Sequence, residues 1–157
     1  MNLKKLSLMA VAALLIGAPL LGEVTTNVKV PIALGVFVPC AAGGAGEVVV
    51  LTGDLHILIS ATINGNNVHV RSHSQPMGVS GVGAVTGDRY QGTGITRQDL
   101  NFDGVDGFPF NFSFVNNFKI IGQGPGNNLL IHQNVHLTIN ANGETTVTVD
   151  NFRSECK

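Results

Sequence analysis

Five histidines, His56, His69, His73, His132 and His136, are the residues of this 157-residue chain best suited to hold a metal or move a proton. Two pairs, His69 with His73 and His132 with His136, are spaced four apart. On a helix such a pair can share one ion; on a strand it is about 13 Å long and cannot. Cross-strand neighbours are the better candidates. The turn Asn64-Gly65-Asn66-Asn67 pairs Ile63 with Val68, Ser60 with Arg71 and Leu58 with His73. His56 then lies diagonal to His73, about 7–8 Å away at Cα, on a face shared with His69 and Arg71. A later hairpin, registered with Leu137 against Val147, sets His136 opposite Thr148 and Asn134 opposite Asp150. His132, Asn134 and His136 share its polar face. Zinc needs three or four convergent ligands, and each group supplies two at a time. These faces therefore read either as a lined pocket or as solvated outer faces.

Asp99-Leu100-Asn101-Phe102-Asp103-Gly104 matches the first half of a calcium loop. Oxygens at alternate positions, Asp99, Asn101 and Asp103, with Asp106 beyond them, would converge on a hard cation. The match ends there. Phe110 stands where a bidentate Glu belongs, and the flanking segments have strand rather than helix patterning. The alternative is a surface turn built from Asp, Asn and Gly for their backbone preferences. No G-x-S-x-G motif is present, so nucleophilic serine chemistry has no support. His73, Tyr90 and Asp150 could serve as acid or base if they line a cavity. Calcium is the only cofactor with any motif behind it.

The elements that must position these residues are strands. Leu55, Ile57, Ile59, Ala61 and Ile63 alternate with polar partners, as do Phe110, Phe112 and Phe114. Eight strands are expected, near residues 27–38, 47–63, 68–74, 78–86, 89–97, 110–121, 129–139 and 145–152. A bulge is expected at Gly53-Asp54, and Pro31 suggests that the first strand lies at an edge. The fourth and fifth strands are rich in glycine and suit close packing under a large neighbour, for which the Phe stripe is available. Residues 98–109 read as the longest irregular segment. Short turns favour an antiparallel meander, either an eight-stranded β-barrel or a two-sheet β-sandwich, with the barrel preferred because closure removes edges.

Residues 1–22 have the pattern of a secretory signal peptide: Lys4 and Lys5, then an uncharged run from Leu6 to Leu21 broken by Gly17 and Pro19. Cleavage is expected after Gly22, with an uncleaved membrane anchor as the alternative. The protein is thus expected to be secreted or periplasmic, as one domain over residues 23–157 with no later membrane span. Removing the leader removes two of nine basic and none of ten acidic residues, leaving 7 − 10 = −3. Basic residues are scattered, which argues against a nucleic-acid or anionic-membrane partner. The two cysteines, Cys40 and Cys156, are expected to pair in an oxidising compartment. That bond conflicts with eight antiparallel strands, whose first and last members run in opposite directions. Either one connection crosses the barrel or the strand count is wrong by one.

Val38-Pro39-Cys40, Gly46-Glu47, Leu55-His56, Ser72-His73, Ser80-Gly81-Val82-Gly83, Asp150-Asn151-Phe152 and Glu155-Cys156 together resemble a set of small secreted bacterial β proteins of unassigned function. The resemblance implies a secreted, disulfide-bonded β domain and carries no activity. As architecture, the meander is also similar to lipocalin and allene-oxide-cyclase barrels. The expected function is non-enzymatic binding of a small apolar molecule or surface component. The pocket candidates are His56, His69, Arg71, His73, Tyr90, Phe112 and Phe114. A cofactor-free isomerase or cyclase using the same cavity is the first alternative, and a structural or adhesive module with a filled core is the second.

Overall fold

The computed structural model describes residues 22–124 and 126–157. The expected leader, apart from its last residue, lies outside them. Seven strands follow one another: β1 (Gly22–Val38), β2 (Glu47–Asn64), β3 (Asn67–Gly83), β4 (Arg89–Asp103), β5 (Phe110–Gly122), β6 (Leu129–Ile139) and β7 (Thr145–Cys156). They form one antiparallel sheet in the order β1-β2-β3-β4-β5-β6-β7. The all-β antiparallel meander is as expected, but the eight-stranded closed barrel is not: the sheet has seven strands and does not close into a barrel.

The miscount arises at Gln75-Pro76-Met77. The expected third and fourth strands are two halves of β3, joined through a bulge instead of a turn. Between Thr52 and Asp54 on β2, whose partners are Ser80 and Met77, β3 carries one extra residue. Gly78, at φ +62°, supplies the left-handed backbone there. The bulge expected at Gly53-Asp54 thus exists, with its extra residue on the facing strand. The expected irregular segment 98–109 is also shorter, because β4 continues to Asp103.

An odd strand count resolves the disulfide conflict. β1 and β7 run the same way, so their C-terminal ends lie at the same end of the sheet. Cys40 and Cys156 are bonded there, with Cα atoms 5.8 Å apart. Beside them the Cys40 Sγ contacts the Asn128 carbonyl at 3.4 Å. Asn128 and Lys157 exchange backbone hydrogen bonds of 3.1 and 2.9 Å, extending the β6–β7 ladder.

The buried core gathers at this clasped end. Val38, Ala41, Val49, Leu51, Val79, Tyr90, Ile120 and Leu129 form one cluster, with Ile32, Val36, Phe118 and Ile131 packed against it. These residues come from β1 to β6, so the sheet must curl to bring them together. The face that carries them is the inner face. Directly opposed residues share a face, so Phe110, Phe112, Phe114 and Phe118 continue the inner row of Ile120. Away from the clasp, the inner side chains of β2 to β6 are mostly half-buried and those of β7 exposed.

Candidate functional site

The most constrained chemistry lies at the clasped end. Glu47 begins β2 on the inner face, 2% exposed, and would be a costly charge to bury without partners. It has four. Its carboxylate accepts from the backbone N–H of Val85 and of Thr86, both at 3.0 Å, and from the Thr86 hydroxyl and the Tyr90 hydroxyl, both at 2.8 Å. Gly83 makes room for it: a Cβ there would overlap the carboxylate. The Thr86 backbone N–H, with help from the hydroxyls of Tyr90 and Thr86 and the Val85 N–H, lowers the Glu47 pKa from 4.5 to about 2 against the opposing effect of burial. Burial, the hydrogen bond to Glu47 and the charges of Glu47 and Asp88 push the Tyr90 phenol well above its ordinary range. Glu47 is thus a saturated anion that fastens the β3–β4 turn onto β2. Asn127, also buried, donates to Asp88 Oδ2 and to the Gln123 carbonyl, both at 3.0 Å, tying the β5–β6 turn to the same place.

Over this region, on the outer face, lies a groove of about 800 Å³. Its floor includes Gly81, Tyr90 and Gly122, and its walls include Val50, Val82, Ile121, Gln91 and Gln123, with Arg89 the only charged lining residue among the described residues. Val50 is 53% and Val82 55% exposed, and they are direct cross-strand partners. Phe37 and Val48, another opposed pair, extend the apolar surface along β1 and β2. Contiguous apolar exposure of this kind differs from scattered surface valines and marks a candidate contact surface.

The seven pocket candidates do not come together as one site; of them, Arg71 and His73 share one outer-face groove. Tyr90 is 1% exposed, its ring in the core and its hydroxyl committed to Glu47. Phe112 and Phe114 are half-buried on the inner face. His56, His69, Arg71 and His73 stand on the outer face, in the register expected: Ile63 opposite Val68, Ser60 opposite Arg71, Leu58 opposite His73. His56 Nε2 is 2.7 Å from Asn27 Oδ1, and His69 is hydrogen-bonded through Nδ1 to Asn101.

The second expected register fails by one residue. It holds at the turn, where Ile139 opposes Thr145, and slips at a bulge that leaves Thr146 unpaired. His136 therefore opposes Val149, and Asn134 opposes Asn151, while Asp150 passes to the inner face opposite Val135. His136 Nδ1 lies 2.8 Å from the Ser113 hydroxyl, and His132 Nδ1 lies 2.6 Å from Asn117 Oδ1.

The expected calcium loop is mostly strand. Asp99, Asn101 and Asp103 alternate along β4, so they string out along the outer face instead of wrapping a cation. Asp99 Oδ1 accepts from Arg71 Nε at 3.0 Å, and Asp103 Oδ1 accepts from the backbone N–H of Val105 and Asp106 at 2.8 and 3.2 Å. Among the described residues no group of three or more His, Cys, Asp or Glu is placed to hold a metal, and no helix is long and apolar enough to cross a membrane.

No family model, curated protein or solved structure matches the chain.

Proposed function

We propose that this chain is a secreted binding protein that holds a small apolar molecule in the outer groove at its clasped end. The observation that carries the reading is the exposed cross-strand pair Val50 and Val82, with exposed Ile121 on the far side of the same groove of about 800 Å³. That volume lies within the range of small-molecule sites, on the order of 300–1,000 Å³. The support beneath it is rigid: the buried cluster, the Glu47 hydrogen bonds and the disulfide all lie at the same end. A pre-organised wall lowers the entropy cost of binding. Secretion is supported by the leader pattern and by a disulfide that links the C-terminal ends of the two edge strands. A binding role is favoured over catalysis because the two most buried ionisable side chains, Glu47 and Tyr90, are hydrogen-bonded to each other on the inner face.

The test is titration with an environment-sensitive apolar dye, alongside native mass spectrometry of protein purified from its own host. Saturable dye binding that Val82→Asn weakens and Phe112→Ala leaves intact is expected. Dye binding lost in Phe112→Ala and kept in Val82→Asn would move the site to the inner face. No saturable binding to the native chain would remove the reading.

A further inference from the structure

A second outer-face groove, of about 390 Å³, lies away from the clasp and is lined by Leu58, Ser60, Arg71, His73, Arg97 and Asp99 among others. Register explains how these side chains meet. Ser60, Arg71 and Asp99 form one cross-strand row over β2, β3 and β4, and Leu58, His73 and Arg97 form the next. The two rows are two residues apart on each strand, so all six side chains share one face. Arg71 is oriented by Asp99, whose Oδ1 accepts from Nε at 3.0 Å, leaving the two terminal nitrogens of the guanidinium to point elsewhere. Among the described residues, Arg97 has no carboxylate at salt-bridge distance. Counting the two guanidiniums and the carboxylate alone, Arg71 and Arg97 against Asp99 give 2 − 1 = +1 in the groove, on a chain whose expected mature charge is −3. A positive focus on an acidic protein is an attractive site for an anion.

We propose that this groove binds a tetrahedral oxyanion, presented as a sulfate or phosphate monoester. Two guanidiniums and an imidazole offer donors to several oxygens at once, and guanidinium–oxyanion bonds are charge-assisted and directional. Ser60 adds a hydroxyl on the Arg71 row, and Leu58 gives an apolar flank for whatever carries the ester. Asp99 positions Arg71 without closing the groove.

The experiment follows backbone and arginine side-chain NMR shifts of the disulfide-intact protein during titration with inorganic sulfate, inorganic phosphate and acetate at constant ionic strength. Sulfate and phosphate are expected to give saturable shifts centred on Arg71, His73 and Arg97, with acetate much weaker. The stronger of the two tetrahedral ions identifies the ester. Arg97→Gln should weaken the better ion about tenfold or more, the loss expected for one charge-assisted hydrogen bond. His73→Gln should weaken it less. Lys119→Gln, an exposed cation on β5 outside the groove, should leave affinity within about twofold, as rim charges do under salt screening. Thermal melting of each variant verifies folding. Shifts that rise linearly without saturation, acetate binding equal to sulfate, or equal weakening by Arg97→Gln and Lys119→Gln would each overturn the proposal.

Discussion

At the scale of single residues, Glu47 holds more together than any other side chain. Four donors fix it, and the sign of its pKa shift sets a pH dependence. Its folded pKa of about 2 lies below its ordinary 4.5, so the charged form is favoured by folding. The stability it contributes is complete above 4.5 and is lost as the pH falls from there towards 2. Thermal melts across the acid range should therefore show a falling melting temperature in that window. Glu47→Gln should melt lower at neutral pH and show a flatter acid limb; parallel curves for the two proteins would rule Glu47 out as the source. Tyr90→Phe should lower the melting temperature and shift the Glu47 titration upward, because one of its donors is gone. Little of this was legible in the sequence. Glu47 stood out only within the resemblance, and Tyr90 was a candidate acid or base on the condition that it lined a cavity. Nothing in a linear pattern says that residues 43 apart share a hydrogen bond.

Among the elements, β5 was the most legible. Period two put Phe110, Phe112, Phe114 and Phe118 on one face, and Ile120, on the same parity, lies in the core. The expected packing of aromatic rings over glycine holds for Phe118: a Cβ at Gly92 would sit 3.2 Å from its ring and 2.8 Å from Val79 Cγ1. Both obstacles are side chains, so Gly92→Ala should cost about 1–3 kcal/mol of overpacking instead of abolishing the fold. Phe118→Ala should cost about 3 kcal/mol, the low end for a buried ring, because Phe118 keeps some exposure. Phe112→Ala, farther from the core, should cost roughly half as much on area grounds. Urea denaturation of the three variants checks the order, and a Phe112→Ala loss equal to that of Phe118→Ala would mean that the core extends farther along the strand. Bulges set the limit of legibility. The extra residue in β3 hid a continuous strand behind Pro76 and Gly78, and the one at Thr146 reversed the facing of the rest of β7. An inserted residue shifts every later side chain by one step, and period-two reasoning carries such a slip forward unseen.

The whole molecule is built unevenly, and the disulfide accounts for much of that. β1 and β7 are the two edges of the sheet, and the bond joins them at the end where the buried cluster lies. Cysteine count and leader pattern were enough to pair Cys40 with Cys156; set against strand direction, the same bond left open a crossing connection or a strand count wrong by one, and the seven-stranded sheet decides for the second. The clasp spans 116 residues, a separation for which chain-entropy models assign about 4–5 kcal/mol of stabilisation. Hydrogen exchange should follow this asymmetry. Amides of Val49, Leu51, Ile120 and Leu129 are expected to exchange slowest, since their opening requires the core to separate. Those flanking Asn64–Asn67 and Asn140–Glu144, where the inner side chains are half-buried or exposed, should exchange fastest. Reduction, or Cys40→Ser with Cys156→Ser, should narrow the contrast: the clasped end loses its restraint, while the far end, already exchanging by local opening, changes little. Such narrowing, with a lower melting temperature, would show that the disulfide stabilises the end on which the apolar groove rests. A uniform loss of protection along every strand would instead mean that the sheet opens as one unit, and that the groove's rigidity has no source separate from global stability.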